Sequence, residues 1–318
     1  MLLVLATAGL TTAACTTLPD TSGYTAASLA LRPAAAAAGT ALGSELVRMT
    51  ELLPADSRAE ATGIGNSFND AWATTVVSLG ALGRYAESIE AVTKAGNSGA
   101  AAANGVAESV GGLASALGIV PGAALLGVAT DTFALLNTQI ANIRATRSLE
   151  RSLEASEPLI RDMSNVIGGQ VTRARTLFQQ AIEMEGRALD HDIDDTAQLD
   201  ARLEAMEREE GFHLAALAEQ PARDAERSVS EANLKRIRDG RAAIAPRVTA
   251  YRSARAALAA RAQTGNDLFA ATEHALETWR ESHAKMVRAI RERRPVSFES
   301  LTAAAEEIRE LSRRWRAL

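Results

Sequence analysis

From Leu234 to Ile290, residues at one set of positions recur at spacings that alternate between three and four, a period of about 3.5 residues kept for about eight heptads. The stripe carries Leu234, Ile237, Ile244, Val248, Leu258, Ala262, Gly265, Phe269, Thr272, Leu276, Trp279, Met286 and Ile290. Arg241, Tyr251, Arg255 and His283 fall on the same seam. A strand cannot use this pattern, because its side chains alternate every second residue. A long helix can, and a seam this long requires a neighbouring helix along it. Gly265-Asn266 is the one place where a hairpin could break the segment, yet the phase passes through it unshifted, so a continuous helix is expected.

The rest of the chain reads the same way. Phe68, Trp72, Val76, Leu79, Ala86 and Ile89 predict a helix over about 66–95, stopped by Gly96-Asn97-Ser98-Gly99. Val106, Val110, Leu113 and Leu117 form a second seam, and Pro121 suits the first turn of the next helix, which carries Leu125, Phe133, Leu136, Ile140 and Ile143. Leu153, Ile160, Met163, Ile167, Val171, Ala174, Phe178 and Ala181 continue the spacing, with breaks or kinks expected at Pro158 and Gly168-Gly169. The aspartates at 190, 192, 194 and 195 are expected to end that run. Leu199, Leu203, Met206, Leu214 and Leu217 then predict a shorter helix that stops before Pro221, and Leu301, Ile308, Leu311, Trp315 and Leu318 a last one after Pro295. Alternating strand patterns bounded by Asn-Gly or Asp-Gly turns do not occur. The fold class expected is all-α: an elongated antiparallel helical bundle with long coiled-coil-like helices.

Charge divides the chain. Residues 1–143 hold ten acidic and five basic side chains, whereas residues 144–318 hold 29 of each sign, so the first part carries the whole net charge of -5. Nearly balanced charge argues against a nucleic-acid surface, and a single cysteine excludes a disulfide framework and a cysteine-based zinc site.

That cysteine, Cys15, follows the apolar stretch LLVLATAGLTTAA at 2–14, which ends in small residues. The arrangement resembles a bacterial lipoprotein signal, in which an apolar segment of about 7–15 residues is cut beside small side chains. The resemblance covers residues 1–15. It implies a signal peptide at 1–14 and a mature chain that begins at a lipid-bearing Cys15. Thr16, rather than Asp, follows the cysteine, which in such lipoproteins favours the outer over the inner membrane. Residues 15–40 mix Pro, Gly, Ser and Thr with the Ala34–Ala38 run and predict a flexible linker. A single helical domain is expected over 41–318, charge-poor at 41–143 and charge-rich at 144–318.

Between Ser109 and Thr130 lie 22 consecutive uncharged residues, which as one helix would reach about 33 Å. Gly111, Gly112, Gly118, Gly122 and Gly127 lower the hydrophobicity and Pro121 interrupts the middle, so two short arms packed inside a bundle are expected. The other reading is a hairpin that enters a membrane through Leu113, Leu117, Ile119, Val120, Leu125 and Leu126, within about 104–136. In organisation, long helices with one Gly-rich apolar hairpin, the chain resembles α-helical pore-forming toxins.

Chemistry-bearing patterns are sparse. Glu210 and His213 give a single Glu-x-x-His, where carboxylate-bridged di-iron bundles need two copies. Asp190, Asp192 and Asp194 occupy positions 1, 3 and 5 of a calcium loop, but Asp195 replaces the required Gly and Ala201 the final Glu. Gly118 and Gly122 match a helix-pairing motif that Pro121 interrupts. Arg241, Arg255 and His283 are read as packing or pairing positions, and the basic runs at 291–294 and 313–316 as solvated faces. No nucleophile elbow, phosphate loop, dinucleotide fingerprint or His-Glu-x-x-His occurs. The expected function is therefore that of a non-enzymatic, lipid-anchored cell-envelope protein facing the periplasm, without metal or cofactor. It would act as a helical scaffold or interaction module, with a protein partner or a second copy on its helical faces. The alternative is a membrane-active, pore-forming-like protein.

Overall fold

The computed structural model describes residues 18–53, 55–95, 100–116, 130–146 and 148–318. Among these the chain forms α1 (Ser22–Leu52), α2 (Ala55–Lys94), α3 (Ala100–Ala116), α4 (Thr130–Ala145), α5 (Leu149–Ala218), α6 (Asp224–Glu292) and α7 (Glu299–Trp315), with a 3-10 turn at Pro221–Arg223 before α6. No strand occurs among the described residues. The fold is an all-α bundle, with α5 and α6 spanning 70 and 69 residues.

The long heptad is one helix. α6 runs through Gly265-Asn266, and its seam positions from Leu234 to Ile290 are buried or half-buried along most of its length. Helix α6 ends where Arg293 turns to φ 49° and the Arg294 amide donates to the Ala289 carbonyl at 3.1 Å, a left-handed cap that glycine usually fills. α5 is also longer than its sequence suggests. Pro158, Gly168-Gly169 and the aspartates at 190–195 all lie inside it, because the tertiary contacts of a continuous seam outweigh local propensities of about 1 kcal/mol for Gly and about 3 kcal/mol for Pro.

The stretch expected as a loose linker needs the largest correction. From Ser22 onward it is α1, with Tyr24, Leu31, Ala34, Ala35 and Ala38 buried. Alanine is the best helix former, and its small side chain lets large rings lie against the helix backbone. All three tryptophans of the chain donate their indole N–H to α1: Trp279 to Ser28 Oγ at 2.9 Å, Trp72 to the Ala35 carbonyl at 2.8 Å and Trp315 to the Ala41 carbonyl at 3.1 Å. Gly39 admits the Trp72 ring, which a Cβ at that position would overlap.

The described residues separate into two compact units. One comprises the chain up to Pro33, Val76–Gly168 and His274–Glu306; the other comprises Ala34–Thr75, Gly169–Glu273 and Glu307–Leu318. The first packs Leu31, Leu82, Ile89, Val110, Ile143, Leu153, Ile160, Met163, Met286 and Leu301 into its core. Its α3 and α4 lie against each other, with Leu113 on the buried face of α3 at 1% exposure. The second is centred on Phe68, Trp72, Phe178, Phe269 and Trp315, whose ring centroids stand 5.4–6.4 Å apart in stacked, tilted and edge-on pairs. Gly265 belongs to this cluster: a Cβ there would stand 2.5 Å from the Phe178 ring and 3.1 Å from Trp315. No helix among the described residues is long and apolar enough to cross a membrane.

Candidate functional site

Two groups of polar side chains are built into the helix seams, one in each unit. In the first, the α6 heptad carries Trp279 and His283 one turn apart against Tyr24 of α1 and Tyr85 of α2. The neutral imidazole of His283 and the phenol of Tyr85 share one hydrogen bond, Nε2 to Oη, at 2.7 Å. Burial lowers the His283 pKa from 6.5 to about 4 and raises both tyrosines above their ordinary value, so every member is uncharged at neutral pH. A neutral, fully enclosed pair is suited to packing, because neither group holds a proton that it exchanges near pH 7. Tyr85 also lines a recess of about 390 Å³ between α2 and α3, together with Arg84, Ser88, Val92, Glu108 and Leu113.

The second group lies between α5 and α6. Arg261 of α6 reaches Glu45 of α1 at 2.8 Å and Glu185 of α5 at 2.7 Å, with all three side chains 14% exposed or less. Further along, Asp190 accepts from Tyr251 at 2.7 Å and faces Arg255 at 3.3 Å. Arg241 meets Asp200 at 3.3 Å, Glu207 at 2.7 Å and Glu204 at 3.6 Å; Arg238 adds a second contact to Glu207 at 2.8 Å. The hydrogen bonds from Arg238 and Arg241 hold the Glu207 carboxyl below its ordinary pKa. Glu210 accepts from Ser230 Oγ. These pairs fix one antiparallel register, since each carboxylate meets the α6 residue at its own level.

This ladder corrects the expected seam of α5. Leu199 and Met206, placed by periodicity on the packing face, are 45% and 50% exposed. The face toward α6 is instead Ile193, Asp200, Leu203, Glu207, Glu210, Leu214 and Leu217, buried or half-buried at the same alternating spacing. Arg241 on the α6 heptad decides the rotation. A guanidinium inside the seam draws carboxylates opposite it, and the two apolar side chains turn outward.

The remaining candidates fall as follows. Cys15, Leu117, Ile119, Val120, Leu125 and Leu126 lie outside the described residues, as do Gly118, Pro121 and Gly122. His213 is exposed, and its neighbour Glu210 serves the seam. Asp190 sits on a helix rather than in a calcium loop. Among the described residues, no group of three or more His, Cys, Asp or Glu side chains is placed to hold a metal ion. In the basic runs Arg291 pairs with Glu154, Arg294 with Glu292, and Arg313 and Arg314 with Glu310. No protein-family model, curated protein or solved structure matches the chain.

Proposed function

We propose that this chain is a non-enzymatic protein of the cell envelope, held to the outer membrane by a lipid on Cys15 and acting as a helical scaffold or interaction module. The observation that carries the interaction role is the distal half of α5, which seats Asp200, Glu207 and Glu210 among the leucines of its seam and leaves Leu199 and Met206 45% and 50% exposed beside it. A helix that spends apolar side chains on solvent while pairing charges inside is arranged for a partner at its outer face. The apolar stretch at 2–14, which ends in Ala13-Ala14 directly before Cys15, supports the anchor. Ser22, where α1 begins, is the seventh residue after Cys15, so the anchor would hold the start of α1 within about 25 Å of the acyl chains. This close tethering replaces the long linker expected from composition.

Metabolic labelling with an acyl probe, followed by membrane fractionation of wild type and Cys15→Ser, tests the anchor. The wild type should take up label and sediment with membranes; the variant should lose both properties and keep a helical far-ultraviolet spectrum. An unlabelled wild type with unchanged membrane retention would overturn the reading.

A further inference from the structure

The two long helices segregate charge where they pair. Between 190 and 210, α5 carries nine carboxylates and two arginines; between 235 and 255, α6 carries seven cations and one carboxylate. Within the hairpin this pairing uses Asp190, Asp200, Glu204 and Glu207 against Arg238, Arg241, Arg252 and Arg255. Beside the seam Leu199 and Met206, one heptad apart on α5, form an exposed stripe at 45% and 50% exposure.

We infer that this face of the α5–α6 hairpin binds the same face of a second copy of the chain, forming a four-helix bundle with a twofold axis along it. The inference rests on the interaction-module reading and names its partner. A hairpin with one acidic and one basic helix is complementary to itself: when two copies lie side by side in the same direction, each acidic α5 segment falls between its own basic α6 and the partner's. All adjacent helices are then antiparallel, as in an up-and-down bundle, and the same residues are used by both copies. A second hairpin also covers Leu199 and Met206, which the seam within one chain leaves 45% and 50% exposed. A partner of uniform charge would instead oppose one of the two helices.

Sedimentation equilibrium on the full chain carrying Cys15→Ser, which removes acyl chains and detergent from the measured mass, tests this. The protein should be a dimer at about 10 µM and dissociate at least tenfold more readily in about 1 M salt than in about 0.05 M. Adding Leu199→Asp and Met206→Asp should give a monomer with an unchanged melting temperature. A monomer at about 100 µM without those changes would overturn self-association, while acyl labelling and capture of a different envelope protein would still uphold the broader reading. A dimer that survives both substitutions would place the interface elsewhere, and a large fall in melting temperature would show that the two side chains pack within the chain itself; either result also overturns the inference.

Discussion

Tyr85 of α2 and His283 of α6 meet at 2.7 Å inside the first unit, each at most 1% exposed, with Trp279 and Tyr24 beside them. The position belongs to the α6 heptad, where an aliphatic side chain would ordinarily sit. Histidine serves there because a neutral imidazole can satisfy the tyrosine hydroxyl that the same packing encloses.

His283 makes stability depend on pH in a defined window. Its folded pKa of about 4 lies below the value of 6.5 for an accessible imidazole, so below pH 6.5 the unfolded chain binds the extra proton. Its contribution is therefore complete above pH 6.5, falls as pH drops toward 4, and levels off below that. The loss over the window is about 3 kcal/mol. Urea unfolding at several pH values should show this slope in wild type and a shallower one in His283→Gln, whose side chain does not titrate.

Gly39 and Gly265 should be intolerant of alanine. At either position a Cβ overlaps a ring, Trp72 in the first case and Phe178 in the second, and these rings are themselves locked in the aromatic cluster. Each substitution should cost about 2–3 kcal/mol in chemical unfolding. Gly169→Ala and Gly211→Ala, where the added carbon meets nothing within 4 Å, should instead raise stability by about 0.5–1 kcal/mol.

Leu113 distinguishes core packing from membrane insertion in the charge-poor region. It is 1% exposed on α3, alongside buried Val106 and Val110. Leu113→Asp places an unpaired charge in that core and should lower stability by several kcal/mol, or prevent accumulation, as read by thermal melting. Normal melting together with lost liposome binding would point to the pore-forming alternative.

Sequence periodicity determined the helical class, the continuity of α6 and the buried faces of α2, α3 and the first half of α5, because those stripes are apolar and their period admits one structure. It misplaced α1 and the distal half of α5 for two different reasons. In α1 the Ala34–Ala38 run has too little bulk to form a visible stripe, and the buried face of the helix shows only in what approaches it: indoles distant in sequence that bond to Ser28, Ala35 and Ala41. In α5 only part of the apolar stripe is inside: Leu203, Leu214 and Leu217 stay in the seam while Leu199 and Met206 yield to Asp200 and Glu207, which Arg241 on another helix selects as its neighbours. Segregation of charge between the two helices was present in the sequence but cancelled in the count over residues 144–318.

The sequence by itself determined that the chain is built of long helices, since a 3.5-residue period is a property of one segment and needs no partner to be read. Only the tertiary structure decided which face is inside in α1 and in the distal half of α5, and which small, polar or charged residues join the seams. That choice depends on side chains contributed by other helices: Trp72 over Gly39, Tyr85 against His283, Arg241 opposite Asp200 and Glu207. Burial is a relation between elements, and a small or charged residue enters a core only when a distant residue of the right shape or charge meets it there.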